Sequence, residues 1–233
     1  MKKLLQKIFS TPFTSYHATI VTAEVLLGVG LCLVSLIFFV SFSREIADAD
    51  FSFIDRSISM LVYSLRTPGL TQFMLLVSSF GDSLCLVLAA LVAIVFLVKK
   101  HRKEAVLFCL VLIMGFLLNT ALKTMFHRAR PNIAPLVTEH SYSFPSGHAM
   151  NSFIFYALMA YFSYHFFRHK GLTIVLSLGA IGIVLLIGFS RVYLGVHYFS
   201  DVLAGYIAGF WWFITVLLIE HTLVFYKLYK KSE

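Results

Sequence analysis

Apolar residues in this chain come in long, nearly unbroken runs instead of the half-apolar stripes of a soluble helix. Six stretches approach the roughly 20 residues that carry an α-helix across a bilayer: Ala18–Ser43, Gln72–Val98, Glu104–Met125, His148–Phe167, Leu172–Phe189 and Asp201–Tyr226. The second is interrupted near its start by the polar turn SSFGDS. Asp50–Arg66 has a different pattern, with Phe53, Ile54, Ile58, Leu61, Val62 and Leu65 at helical spacing and Asp55, Arg56 and Ser59 among the polar positions. That spacing predicts an amphipathic helix lying along the membrane interface, and Pro68 breaks the chain before the second span. The expected fold is all-α: a polytopic bundle of six transmembrane helices plus this interfacial helix, in one domain over residues 1–233.

Composition agrees with a membrane protein. The chain is 59% hydrophobic and 13% charged, with a mean hydropathy of +0.87, whereas about a quarter of the residues in soluble domains are charged. A formal net charge of +8 does not point to nucleic acid, because the basic residues lie in short clusters between spans, where membrane topology places them. Lys2, Lys3 and Lys7 precede the first span, and Lys99, Lys100, Arg102 and Lys103 join the second to the third. Arg168 and Lys170 join the fourth to the fifth, and Lys227, Lys230 and Lys231 follow the sixth. With six spans all of these share one side, predicted to be the cytoplasm, and both termini lie there too. The opposite loops hold Glu45, Asp48, Asp50 and Glu139. The expected location is the plasma membrane, with the bilayer as partner; nothing in the sequence indicates an oligomeric state. Cys32, Cys85 and Cys109 fall inside apolar runs and suit neither a disulfide framework nor a metal site. The first apolar run is too long for a cleaved signal peptide and reads as a span.

Three polar islands remain, all on the outward side of such a bundle. The third span ends in KTMFHRARP, the fourth opens with PSGH, and the link from fifth to sixth reads SRVYLGVHYFSD. A six-span path brings them to one membrane face. Lys123 and Arg130 are seven residues apart, so both project from one side if the helix persists that far, and Pro131 then ends it. Two cations at a membrane surface make a place for a doubly charged anion, and a guanidinium forks onto two phosphate oxygens. Taken alone, snorkelling toward the interface is the simpler reading of them. Ser146 can cap the next helix, Gly147 lets backbone N–H groups approach a ligand, and the helix dipole there favours negative charge. His148 stands in the first turn, able to offer a proton. His197 and Asp201 are four apart, on one face of a helix. Asp201 can accept from one ring nitrogen and leave the other bare and nucleophilic. Arg191, six residues before His197, supplies a third cation.

The pattern Lys-x6-Arg-Pro, then Pro-Ser-Gly-His, then Ser-Arg-x5-His-x3-Asp resembles the signature of the type 2 phosphatidic acid phosphatase (PAP2) superfamily, in its bacterial membrane lipid-phosphatase branch. Lys123, Arg130, Pro131, Pro145, Ser146, Gly147, His148, Ser190, Arg191, His197 and Asp201 occupy the motif positions without a departure. Arg66-Thr67-Pro68 and Gly81-Asp82 are also similar to bacterial members. The resemblance implies that Lys123, Arg130 and Arg191 bind phosphate oxygens, helped by Ser146 and the backbone of Gly147. It implies that His197 attacks phosphorus and forms a phosphohistidine, with Asp201 orienting it. His148 would protonate the leaving oxygen before water hydrolyses the intermediate. No cofactor is implied.

Two histidines and a carboxylate can also hold zinc, but three neighbouring cations repel a dication and gather in a phosphate. A site at a membrane surface calls for a lipid whose head bears a terminal phosphate. Outward placement favours undecaprenyl diphosphate, recycled for cell-wall synthesis, with phosphatidylglycerophosphate and phosphatidic acid as alternatives. A phosphotransferase on the same scaffold and a non-enzymatic membrane protein that retains the fold are the rival readings. Among other polar residues, His127 is expected on the surface, and His140 and Tyr142 in a loop on the substrate side. Asp82 is costly if it faces lipid, and a place near the site is one of two readings for it. Glu24, Glu220 and His221 are expected at the cytoplasmic interface, and Gly205-x3-Gly209 as a close helix-packing face.

Overall fold

The computed structural model describes the backbone of residues 15–47, 51–167 and 170–232, and within them the side chains of 23–46, 51–166 and 170–223. Its helices are α1 (Ser15–Ala47), α2 (Ser52–Ser64), α3 (Pro68–Ser79), α4 (Ser83–Val98), α5 (Arg102–Phe126), α6 (Gly147–Phe167), α7 (Lys170–Tyr193) and α8 (Phe199–Ser232). Among the described residues there is no strand. Several residues behind the orientation expectation lie outside the described side chains: Lys2, Lys3, Lys7, Asp48, Asp50, Arg168, Lys227, Lys230 and Lys231.

Among the described residues five segments are long and apolar enough to cross a membrane: Ala23–Ile46, Pro68–Val98, Arg102–Phe126, Lys170–Tyr193 and Phe199–Leu223. The run expected as the fourth span forms α6, a helix of 21 residues, but it is not among these five. Its polar content has a structural counterpart. α6 packs against α5, α7 and α8, and Met150, Ser152, Ile154, Phe155, Leu158 and Phe162 along it are buried. A helix sheathed by its neighbours has little lipid-facing surface to make apolar.

The interruption at SSFGDS is a real break. α3 and α4 are separate helices joined at Phe80–Gly81–Asp82. Thr67 caps α3, its hydroxyl accepting from Leu70 N–H at 3.3 Å, with Pro68 in the first turn. α2 forms within the expected range but turns its polar edge inward. Asp55, Ser59 and Val62 are buried, while Phe53, Ile54, Met60, Leu61 and Leu65 are exposed. Such an inversion suits a helix with lipid on its outer side and protein beneath it.

Aromatic rings fill much of the interior. Phe126 meets Phe144 edge-on with ring centroids 4.9 Å apart, and Phe39 stacks on Phe144 at 6.1 Å. Gly205 and Gly209 let α8 lie close against the start of α6. A Cβ on Gly205 would stand 2.7 Å from the Ser146 carbonyl oxygen, and one on Gly209 3.0 Å from that of Met150. The expected packing face is therefore present. At the far end of the bundle His221 Nε2 lies 3.2 Å from Glu24 Oε2, and the Tyr161 hydroxyl donates to Glu220 Oε2 at 3.0 Å.

Candidate active site

The three polar islands meet. Lys123, Arg130, Gly147, His148 and His197 line one cavity of about 680 Å³, together with Asp82, Asn119, Arg128, Glu139, His140, Ser141, Tyr142 and Asn151.

The first island gets there by a route other than the one its spacing suggested. α5 ends at Phe126, where His127 adopts a left-handed conformation (φ 49°) and its N–H donates to the Lys123 carbonyl at 3.1 Å. Lys123 and Arg130 therefore do not share a helix face, and Pro131 does not end the helix. Lys123 points from the last turn of α5, its Nζ donating to the Tyr142 carbonyl at 2.5 Å and to Ser141 Oγ at 3.3 Å. Arg130 arrives from the loop. Its Nε donates to the Ser141 carbonyl at 2.7 Å and its Nη1 to the Val196 carbonyl at 2.8 Å.

In the second island Ser146 is wholly buried, behind the cavity wall. Its Oγ lies 3.5 Å from the Ala149 N–H, a long helix cap, and its own N–H donates to the Asp201 carbonyl at 2.9 Å. That second bond ties the start of α6 to the start of α8. Gly147 leaves room for Asn119, whose Oδ1 would lie 2.9 Å from an added Cβ. His148 faces the cavity and sits against the α3–α4 turn. A Cβ on Gly81 would lie 3.2 Å from His148 Cδ2 and 2.7 Å from Ile187 Cγ2.

The third island holds the histidine–aspartate pair. α8 begins at Phe199, so His197 precedes the helix, and the expected shared helix face gives way to a turn feeding the first turn of α8. The two side chains still meet, both buried, with His197 Nδ1 3.5 Å from Asp201 Oδ2. Arg130 Nη1 is 3.3 Å from His197 Nε2. A guanidinium only donates, so Nε2 is the acceptor and the ring proton is assigned to Nδ1, toward Asp201. Burial holds the His197 imidazole well below its ordinary pKa, and the charges of Arg191, Arg130 and Lys123 push the same way. The ring is neutral, with a bare nitrogen facing the cavity cations.

Arg191, buried in the last turn of α7, donates from Nη1 to Ser78 Oγ at 2.6 Å and is ion-paired through Nη2 with Glu139. The other Glu139 oxygen lies 3.6 Å from Arg130 Nη2. Asp201 is held on its far side by Arg128, which also reaches Asp55 Oδ2 at 2.8 Å. Glu139, Arg128 and Asp55 had no assigned role in the sequence reading. Asp55 lies 73 residues from Arg128, and no local spacing signals such a pair. Arg66 has a structural part: its Nε and Nη2 donate to the Tyr193 carbonyl at 3.0 and 2.7 Å, and its Nη1 to that of Ala134 at 2.8 Å. It thereby pins the loop that carries Arg130 to the end of α7. His127 is exposed, as expected, with its ring edge-on to Tyr142 at 4.6 Å. Among the described residues no three His, Cys, Asp or Glu side chains gather in a way that could hold a metal ion.

The sequence model of the PAP2 superfamily matches residues 104–225. This chain belongs to the PAP2 superfamily. A phosphatidylglycerophosphatase B of Bacillus subtilis (strain 168) is 36% identical over 167 residues, covering 70% of this chain and 81% of that protein. A lipid A 4'-phosphatase of Porphyromonas gingivalis is 27% identical over 194 residues, covering 77% and 75%. Among solved structures, a transmembrane PAP2-type phosphatidylglycerolphosphate phosphatase from Bacillus subtilis superposes with a TM-score of 0.77 at 33% identity, over 82% of this chain and 96% of that one. Aquifex aeolicus LpxE shares the fold, with a TM-score of 0.57 at 24% identity over 69% and 93%. The protein is thus a multi-pass membrane phosphatase of the bacterial PAP2 branch.

Proposed function

We propose that this PAP2 protein hydrolyses the terminal phosphate of a lipid phosphate or diphosphate through a phosphohistidine on His197. The observation that carries the reading is the Glu139 carboxylate, held between Arg130 and Arg191 beside a cavity that Lys123, His148 and His197 also line. An anion already stands where a phosphate is to be bound.

In that reading Lys123, Arg130 and Arg191 take the phosphate oxygens, with the Gly147 backbone beside them and Ser146 acting from behind by holding the turn. His197 Nε2 attacks phosphorus in line, the P–N bond forms as the bond to the lipid oxygen breaks, and His148 gives its proton to that oxygen. A bound phosphate dianion supplies the negative charge that keeps this proton on His148 until transfer. Water then attacks phosphorus and passes a proton to His148, and the P–N bond breaks to release phosphate. Asp201, whose Oδ2 lies 3.5 Å from Nδ1, orients the ring and offsets the charge it carries in the phosphohistidine. The cations supply the charge stabilisation that dominates phosphoryl transfer, and no metal takes part.

The substrate is a lipid. An apolar groove of about 1010 Å³, bordered by α4, α6 and α7, runs from Phe80, next to cavity residues Gly81 and Asp82, to Lys99 and His101. Along α4 it is lined from Leu88 to Lys99, about 17 Å of helix, more than half the depth of the hydrocarbon core. The name of the Bacillus subtilis relative favours phosphatidylglycerophosphate. The apolar lining keeps undecaprenyl diphosphate in contention, with phosphatidic acid a third candidate. We take the sheathed helix α6 as a sixth span, and the basic clusters then assign both termini to the cytoplasm and the cavity to the outer face of the plasma membrane. The whole of residues 1–233 acts as one domain.

The test is free phosphate release by purified protein in detergent, with the three lipids offered together and no acceptor added. Wild type is expected to release phosphate and His197→Ala to release none. Turnover only after a second lipid is supplied would make the protein a phosphotransferase, and full activity in His197→Ala would remove the nucleophile. A cysteine placed at Asn132 should react with an impermeant reagent on intact cells; labelling only after permeabilisation would reverse the orientation.

A further inference from the structure

α2 lies outside the residues matched by the PAP2 model, yet it carries one of the most completely buried carboxylates in the protein. Asp55 is 1% exposed. A helix that only floats at the interface keeps its acids in water, because a buried charge is costly unless paired. Asp55 is paired on both oxygens. Oδ1 accepts the Ser200 N–H at 2.9 Å, in the first turn of α8, where a negative charge also meets the helix dipole favourably. Oδ2 accepts the Ser200 hydroxyl at 2.5 Å and Arg128 Nη2 at 2.8 Å.

The other side of the same guanidinium faces the catalytic pair. Arg128 Nη1 is ion-paired with Asp201 Oδ1 and donates to Ser200 Oγ at 2.9 Å. The Tyr198 ring packs against the guanidinium, with its centroid 4.5 Å from the Arg128 Cζ. With Oδ1 occupied, Asp201 has Oδ2 left for its neighbours, the Tyr198 N–H at 2.9 Å and His197 Nδ1.

We infer that Asp55 is a positioning residue for the His197–Asp201 pair, acting through Arg128; the inference rests on the roles proposed above for that pair. Two carboxylates around one guanidinium leave a net negative charge beside His197. The ring becomes positive as Nε2 bonds to phosphorus while Nδ1 keeps its proton, and a fixed negative charge at that spot stabilises it. Asp55 also shares Arg128 with Asp201, so the guanidinium is held from both sides while Asp201 Oδ2 stays turned to the Tyr198 N–H and His197. α2 thus holds part of the machinery from outside the motif-bearing core.

Asp55→Asn tests this, since it keeps the shape, removes the charge and turns one accepting oxygen into an NH2 group that cannot accept from Arg128 or the Ser200 N–H. With phosphatidic acid in detergent micelles, kcat is expected to fall about 10- to 100-fold, less than the loss of a direct transition-state donor, with KM within about twofold. Rapid-quench formation of the phosphoenzyme should slow by the same factor. Arg128→Lys cannot span both carboxylates and should show the same split. The double variant should lose little more than the worse single, because both act along one chain of contacts. Asp55→Asn with wild-type kcat and only a lower melting temperature would overturn the inference, as would additive losses in the double variant. Arg128→Lys with wild-type kcat does the same, and carries the test alone if Asp55→Asn does not fold. Asp201→Asn, assayed alongside, separates the two levels. If it too keeps full kcat, the His197–Asp201 reading fails; if it loses activity while Asp55→Asn does not, only the part given to Asp55 fails.

Discussion

Glu139 presses its carboxylate against the Arg191 guanidinium, inside the group of cations to which a phosphate is assigned. A second anion entering that space meets like-charge repulsion unless Glu139 withdraws. Glu139→Gln removes that competitor while keeping its bulk. Inhibition by inorganic phosphate is expected to tighten by about 3- to 10-fold, a modest share of the several kcal/mol that like charges can cost. Weaker phosphate inhibition would mean instead that Glu139 stays in place and braces the two arginines.

His148 should matter in proportion to how poor the leaving group is. An alkoxide or lipid phosphate must be protonated as it departs, and a positioned acid contributes about 10²- to 10⁴-fold to such a step. His148→Gln should lose on that order with a lipid phosphate monoester. With p-nitrophenyl phosphate, whose phenolate leaves unaided, the loss should shrink by at least about tenfold. Equal losses on both substrates would show that His148 only binds.

The groove beside α4 predicts a chain-length effect. Gly179 lines it, and a Cβ there meets nothing within 4 Å, so a side chain can be added without disturbing the bundle. Gly179→Phe would crowd a lipid tail lying in the groove by about 1–3 kcal/mol, raising KM for a long-chain substrate roughly tenfold. A dioctanoyl analogue should be unaffected. If both substrates respond alike, the tail lies elsewhere.

His197 also makes stability depend on pH. Its folded pKa is depressed below the ordinary 6.5 by burial and then by its three cationic neighbours, so the unfolded chain takes up a proton first as pH falls. The stabilisation is complete above the unfolded value and is lost as pH drops below about 6.5 toward the folded value. The melting temperature in detergent should therefore decline between about pH 7 and pH 5, and His197→Gln should flatten that decline. An unchanged slope would show that other groups carry it.

Much of this was legible in the residues. Long apolar runs gave the helices, because lipid demands that every backbone polar group be bonded within its own segment, and the SSFGDS break reappears as the turn from α3 to α4. The glycine spacing on α8 located its contact with α6. The motifs also converge, but not through the shared helix faces that their spacing predicts, and the difference lies in two places. The left-handed residue His127 ends α5 before Arg130, and α8 starts after His197. Helix periodicity speaks only for residues inside helices, and these side chains sit in the connections. What lay beyond reach was long-range. Nothing near Asp55 shows that its partners lie on the loop after α5 and at the start of α8. Nothing near Glu139 shows that it closes on Arg191.

The Ser146–Asp201 junction has a further consequence. The Ser146 N–H is bonded to the Asp201 carbonyl, and its own carbonyl lies where Gly205 leaves no space for a methyl group. His148 and His197, the residues proposed as proton donor and nucleophile, thus flank one backbone joint, which holds the main chain beneath the two rings at a set separation. A side chain at position 205 would push the start of α6 off the start of α8 and part the two imidazoles with it.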